Sequence, residues 1–261
     1  MNRNSIVSLY SGSGGNSFLI DTPMGGILID AGKNAKRLCM ALADAGVSPS
    51  HIQAILITHE HSDHISALPV FLKKHPIPVH VTSASAYKLA VDPSVSPCLT
   101  LHPPIFTEEL CGIRITSFPT PHDSRGSVGY RFEIPRENGT VLHVGYATDI
   151  GHVSAEVETG LTGCDAVILE SNHDLDMLHT GPYPYELKRR IASMRGHLSN
   201  SDSAAFAARL CATGTRNLML AHLSLENNTP ELAFGECLGA VGDANVSICV
   251  AQPDCITEVC L

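Results

Sequence analysis

His59, Glu60, His61, Ser62, Asp63 and His64 form an H-x-H-x-D-H stretch. Imidazole nitrogens and a carboxylate this close together are the donors that a borderline divalent metal prefers. In an extended loop the H-x-H alternation lets the His59 and His61 rings reach one ion together, while Asp63 and His64 point away and can serve a second. The bland alternative is a solvated polar loop. Its frame argues against that: the apolar run Ala54, Ile55, Leu56, Ile57 and the turn residue Thr58 precede it, and the helical pattern Ile65, Leu68, Phe71, Leu72 follows. The donors therefore stand on a strand-to-helix loop.

Other residues of the right chemistry sit at the ends of further apolar runs. Strands are expected at Ile6 to Tyr10, Phe18 to Asp21 and Gly26 to Asp30, with the Gly/Ser-rich loop Ser11 to Ser17 between the first two. That loop lacks the lysine and the spacing of a P-loop, which leaves a tight connection, with phosphate contact by Ser13 or Asn16 as the functional alternative. Asp30 ends its strand before Ala31 and Gly32. It can accept hydrogen bonds from the metal loop or from a ligand imidazole, or cap the helix expected over Asn34 to Ala45; either role is structural, outside direct ligation. The helix after the metal loop is expected to run to about His75, followed by a strand at Val79 to Thr82, a helix from near Ser83, and a surface loop over Asp92 to Pro104. The strand Ile113 to Phe118 delivers His122, placed as a remote third ligand for the His59/His61 ion.

A hairpin over Val128 to Ile134 and Val141 to Tyr146 leads to Asp149, the best-placed carboxylate to bridge two ions. The strand Ala166 to Leu169 ends in Glu170, either a group supporting the metal site or a helix-capping acid. A basic helix over Tyr185 to Arg195 carries Lys188, Arg189 and Arg190 and runs into Gly196, His197, Leu198, Ser199, Asn200. Alone each basic residue is a solvated helix face; together, beside a histidine loop, they are a candidate phosphate-steering patch. Asp202 or Ser201 should cap the next helix, Ala204 to Ala212. The strand Leu218 to Ala221 then ends at His222, ahead of a helix over Pro230 to Val241 and short strands at Val246 to Val250 and Ile256 to Val259.

Composition narrows the class. The 261 residues show no linker tract, charge block or repeat period, so a single domain over 1–261 is expected. No apolar segment resembles a leader or a membrane span, and the expected address is the cytoplasm, without a membrane partner. Nine cysteines, an odd number and without a C-x-x-C pair, read as reduced buried thiols. A formal net charge of −9 argues against coating nucleic acid by bulk electrostatics, though a local basic path to a site remains compatible with it.

Taken together, Asp30, the His59/His61/Asp63/His64 loop, His122, Asp149 and His222, each ending an apolar run in that order, resemble the metallo-β-lactamase superfamily. The likeness is nearest to its YycJ/WalJ-like, ribonuclease Z-related group of nuclease-type hydrolases. S-G-S-G-G-N-S at Ser11 to Ser17, T-P-H-D-S at Thr120 to Ser124, E-S-N-H-D at Glu170 to Asp174 and G-H-L-S-N at Gly196 to Asn200 carry that finer resemblance. It implies an α/β fold of the αββα sandwich type. One metal would take His59, His61 and His122, the other Asp63, His64 and His222, with Asp149 bridging and Asp30 outside the ligand set. Glu170 would orient His197 and stabilise its imidazolium form, and His197 would touch the scissile phosphate or protonate the leaving oxygen. Asn16, Ser199, Arg189 and Arg190 are candidate substrate contacts. The inserted cap domain and long tRNA-clamping arm of larger RNA-processing relatives have no room in this chain.

Two ions roughly 3.5–4 Å apart lower the pKa of a shared water towards neutrality, so a metal-bound hydroxide is available to attack phosphorus. The expected activity is metal-dependent phosphodiester hydrolysis on nucleic acid, with DNA favoured over RNA and exonuclease character implied by the resemblance. Asp63, Glu170 and His197 are the candidate catalytic residues. Histidine-rich coordination suits Zn²⁺, with Mn²⁺ the alternative. A small ester, thioester or lactone hydrolase would use the same two-metal centre but leave Glu170, His197 and the basic helix without a task. A non-hydrolytic protein, such as an oxygen-reducing di-iron module or a metal-retaining binding domain, is a third class; the di-iron relatives place a carboxylate where this chain has His61. The sequence does not fix protein partners or oligomeric state.

Overall fold

The structure, a computed structural model, describes residues Ser5–Cys260. In chain order its elements begin β1 (Ser5–Tyr10), β2 (Ser17–Thr22), β3 (Gly25–Ile29), α1 (Ala35–Asp44), β4 (Ile52–Leu56), α2 (Ser62–Ile65), α3 (Leu68–Lys74), β5 (Val79–Thr82), β6 (Leu99–His102), β7 (Thr107–Leu110) and β8 (Ile113–Pro119). They continue with β9 (Val128–Pro135), β10 (Val141–Ala147), α4 (Ala155–Leu161), β11 (Ala166–Glu170), α5 (Leu175–Thr180), α6 (Tyr185–Ile191), α7 (Asn200–Ala212), β12 (Asn217–Ala221), α8 (Pro230–Val241), β13 (Ser247–Val250) and β14 (Thr257–Cys260). These strands form two mixed seven-stranded sheets, ordered β14-β1-β2-β3-β4-β5-β6 and β13-β12-β11-β10-β9-β8-β7.

The chain divides into two compact units, one running up to Thr116 with Ser124–Val128 and the segment from Gln252, the other comprising Ser117–Asp123 and Gly129–Ala251. In the first, Leu38, Ala41 and Leu42 of α1 and Leu68, Phe71 and Leu72 of α3 pack with Leu28, Ile55, Ile57, Val79 and Val81. Every second strand residue joins this core, as the two-residue side-chain period of a strand requires. Ala54 and Leu56, on the opposite face, are fully buried as well, so the strands read in sequence as unbroken apolar runs instead of alternating ones. The second unit repeats the design: Val157 and Leu161 of α4, Phe206, Ala207 and Leu210 of α7 and Ala233 and Cys237 of α8 pack with Val167, Leu169, Leu218 and Leu220.

Several elements differ from the sequence expectation. The segment read as a loop over Asp92 to Pro104 contains β6, which pairs in parallel with β5 through Val79↔Leu99 and Thr82↔His102. Thr100 and Leu101 of this edge strand are exposed, so its pairing rather than its apolar pattern makes it a strand. The helix expected to run from the metal loop to His75 is broken into α2 and α3, with Pro69 in the first turn of α3, where its missing N–H costs nothing. The helix expected near Ser83 is a single 3₁₀ turn, Ser85–Lys88. The basic helix stops at Ile191, and the cap of α7 is Ser199 in place of Asp202 or Ser201. The short helices α4 and α5 had no clear periodic signal. Their caps, Ser154 and Asp174, accept from Val157 N and Met177 N.

Among the described residues no helix is long and apolar enough to cross a membrane. Helix α8 begins at Pro230 and is capped by Thr229, whose hydroxyl accepts from Leu232 N. Thr229→Ala is expected to lower unfolding free energy by about 1 kcal/mol, read as a drop in urea midpoint at unchanged m-value.

Candidate metal and catalytic centre

In the first unit the metal loop is held from below by one carboxylate. Asp30 is fully buried; its Oδ1 accepts from Thr58 N at 2.8 Å, and its Oδ2 accepts from the Thr58 hydroxyl at 2.8 Å and from His64 Nδ1 at 2.7 Å. Burial pushes this carboxyl up from its ordinary range, against the pull of His64 and Thr58. Donation from His64 Nδ1 to a carboxylate leaves the lone pair on Nε2, the atom a metal would use. The Thr58 hydroxyl also lies 3.0 Å from His59 Nδ1, and the His59 ring centroid stands 4.5 Å from that of His61 and 4.1 Å from that of His64.

The loop after β1 locks the same assembly. Asn16 N donates to Asp63 O at 2.8 Å, and Gly32 N to Asn16 O at 2.9 Å. The Asn16 side-chain amide donates to Gly12 O at 3.1 Å and lies 3.3 Å from Asp63 Oδ2 and 3.2 Å from His64 Nε2. Asn16, a candidate substrate contact by sequence, is thus fully buried and engaged by the loop itself; Ser13 is exposed. Gly32 is required by close approach: a Cβ there would stand 1.9 Å from Asp63 O.

In the second unit Glu170 plays the part that Asp30 plays in the first. This fully buried carboxylate accepts through Oε1 from His197 Nδ1 at 2.7 Å and from His222 Nδ1 at 3.1 Å, and through Oε2 from Ile150 N at 2.8 Å and Leu198 N at 3.1 Å. Burial alone would raise its pKa, but the charges and hydrogen bonds of His197 and His222 outweigh it and hold the carboxyl well below the ordinary range. Asp149 Oδ1 lies 3.5 Å from His222 Nε2, 3.8 Å from His122 Nε2 and 3.7 Å from His197 Nδ1. Asp149, Glu170, His197 and His222 all bring one donor atom within 4.8 Å of one another. His122 Nδ1 donates to Gly196 O at 3.1 Å, and burial pushes its pKa down, towards the neutral form that ligates.

His64, His122 and His222 therefore share one pattern: Nδ1 bound to an acceptor of the chain and Nε2 left as the lone-pair nitrogen. Within each unit, His64 with Asp63 in the first and His122 and His222 with Asp149 in the second, this is the donor chemistry that a divalent metal takes, and the residues present fit it. Asp30, Asp149 and His222 also share a backbone feature, with φ of 61°, 57° and 59°. Left-handed backbone at a non-glycine residue costs on the order of 1–2 kcal/mol; here it turns the chain sharply at or just beyond the end of a strand.

The remaining candidates have other engagements. Ser199 caps α7, accepting from Asp202 N and donating to Asp202 Oδ2 at 2.7 Å. Arg190 makes a two-bond pair with Asp123 at 2.5 and 3.1 Å, and Arg189 lies 3.6 Å from Glu186. Two supporting residues escaped sequence reasoning: Thr58, taken as a turn residue, and Asn172, whose amide donates to His222 O at 2.8 Å. Their adjacency to the H-x-H-x-D-H and E-S-N-H-D motifs was the available signal.

Residues 26–223 match the β-lactamase superfamily domain, and the chain belongs to the metallo-β-lactamase superfamily, whose fold it has and whose metal-dependent hydrolases it joins. Within it, the chain groups with the WalJ/YycJ proteins. It is 34% identical over 247 residues to exodeoxyribonuclease WalJ of Streptococcus pneumoniae, covering 92% of this chain and 89% of that one. It is likewise 34% identical over 229 residues to exodeoxyribonuclease YycJ of Bacillus anthracis, covering 86% and 84%. Among solved structures, the metallo-β-lactamase fold protein YhfI from Bacillus subtilis superposes with a TM-score of 0.75 at 14% identity, over 99% of this chain and all of that one.

Asp30→Asn keeps the shape but weakens acceptance from Thr58 and His64. Metal affinity is expected to fall about 10–100-fold, read by competitive titration with a chromophoric chelator. Gly32→Ala should lower thermal stability and loosen metal binding together, because its methyl group displaces the Asp63 carbonyl; calorimetry with metal analysis checks this.

Proposed function

We propose that this protein is a metal-dependent exonuclease acting on DNA. The observation that carries the reading is the Glu170–His197 pair beside Asp149 and His222, in a chain similar to exodeoxyribonucleases over nearly its full length. A small-ester hydrolase would not need a histidine fixed by a buried carboxylate at this position.

Family membership supports assigning His59, His61 and His122 to one ion and Asp63, His64 and His222 to the other, with Asp149 between them. The ions, when bound, supply Lewis acidity and a water-derived nucleophile at neutral pH; Zn²⁺ suits the histidine-rich donors and Mn²⁺ is the alternative. His197, aimed by Glu170, delivers a proton to the departing oxygen or a hydrogen bond to the scissile phosphate. Glu170 itself is a positioning residue, engaged with His197, His222 and two backbone amides. The single family match runs through residues of both compact units, which supports their acting as one catalytic domain. The eight cysteines whose side chains are described are all free, which supports a reducing compartment such as the cytoplasm.

The test is cleavage of end-labelled DNA and RNA by protein reconstituted separately with Zn²⁺ and Mn²⁺. DNA should be shortened progressively from an end, cleavage should stop on chelation, and Asp63→Ala should be at least a hundredfold slower by order of magnitude. Absence of metal-dependent cleavage of DNA would sink the reading, and undiminished thioester hydrolysis by His197→Ala would favour a small-molecule hydrolase.

A further inference from the structure

Arg125 is pinned to the metal loop more firmly than an exposed arginine needs to be. Its backbone N–H donates to Glu60 Oε1 at 3.1 Å, and Glu60 lies between His59 and His61. On one side of it Gly126 O accepts from the Thr82 hydroxyl at 2.8 Å; further on, Val128 N donates to Thr58 O at 3.1 Å. Gly126 leaves no room for a side chain, since a Cβ there would stand 2.7 Å from Thr82 Oγ1 and 2.9 Å from Ala84 Cβ.

The pinned segment sets the Arg125 guanidinium over the Tyr87 ring, 3.9 Å from its centroid, with Tyr87 as a residue 38% exposed. Next in sequence, Lys88 Nζ donates to Glu60 O at 3.3 Å, using one of its three protons. A cavity of about 220 Å³ is lined by Lys88 with Glu60, Ser62, Ser66, Leu89 and Asp92 among others. Arg190, Lys33 and Arg37 are neutralised by Asp123 or Asp254. By contrast, Arg125 and Lys88 form no ion pair among the described residues. Two cations outside any ion pair, both tied to Glu60, keep side-chain donors open to an anionic partner in a chain of net charge −9.

We propose that Tyr87, Lys88 and Arg125 form a nucleotide subsite for the DNA strand next to the scissile bond. Arg125 and Lys88 take a backbone phosphate, and the flat Tyr87–Arg125 stack takes a base. Seating on Tyr87 holds the guanidinium plane without consuming its edge donors, so the fork remains available to phosphate oxygens. Aromatic and guanidinium faces accept any base, which suits digestion without regard to sequence. This rests on the reading of the protein as a DNA exonuclease and adds the group that holds its substrate.

The experiment compares kcat/KM on a single-stranded oligonucleotide with kcat/KM on bis(p-nitrophenyl) phosphate, for metal-loaded wild type, Tyr87→Ala, Tyr87→Phe, Arg125→Ala and Arg125→Lys. The oligonucleotide-to-small-diester ratio should fall about tenfold in the two alanine variants, stay near wild type in Tyr87→Phe, and fall partway in Arg125→Lys. The salt dependence of the oligonucleotide KM should flatten by about one phosphate contact in Arg125→Ala. An unchanged ratio, whether both activities hold or both drop together, overturns the subsite. Wild type that fails to cleave the oligonucleotide refutes the exonuclease reading instead; oligonucleotide binding by fluorescence anisotropy then decides the subsite, which falls if wild type and Arg125→Ala bind equally.

Discussion

A carboxylate buried at a strand end, with its oxygens occupied by histidine N–H and backbone N–H donors, is the interaction on which each unit depends. Asp30 at the end of β3 and Glu170 at the end of β11 are both fully buried. Removing a charge from water costs several kcal/mol, and burial is tolerable only when every lone pair is answered. Asp30 is answered by Thr58 and His64, Glu170 by His197, His222, Ile150 and Leu198. The same bonds that make the burial tolerable fix which ring nitrogen of His64 and His222 carries the proton. A cost of folding is thereby converted into prepared metal ligands.

Backbone strain is placed with the same economy. Asp30, Asp149 and His222 sit in left-handed backbone, where an ordinary residue resists and a rigid neighbourhood must hold it. The neighbourhood is rigid because the preceding strands are buried on both faces and the following segments are tied back, as by Gly32 N to Asn16 O and Ala31 N to His64 O. A flexible loop could carry the same side chains, but it would have to order them anew each time a ligand bound.

Charge is distributed by task. Both arginines named from the sequence as phosphate contacts lie against acids, Arg189 against Glu186 and Arg190 against Asp123, and the second pair adjoins His122. Tyr87, Lys88 and Arg125 follow the opposite pattern: Lys88 and Arg125 are pinned to Glu60 by hydrogen bonds, yet neither side chain forms an ion pair among the described residues. An acidic nuclease does not need a basic surface; it needs a few fixed cations close to the bond being broken, where the low local dielectric and exact placement count for more than net charge.

The sequence by itself determined the superfamily, the donors and the secondary-structure frame around them. H-x-H-x-D-H, His122, Asp149 and His222 all follow apolar runs, and short-range pattern is what a linear sequence records. Helices with capping signals, such as Pro230–Val241, were legible to the residue. Only the tertiary structure decided that β6 is a strand, that Ser199 serves α7 as its cap, and that Asn16 braces the metal loop. It also placed Arg125 beside Glu60 and Tyr87, residues separated by dozens of positions. The physical reason is the same in each case: an edge strand is made by its partner, and a hydrogen bond or cation–π contact between distant residues leaves no periodicity behind. Sequence names the donors; packing sets where their lone pairs point.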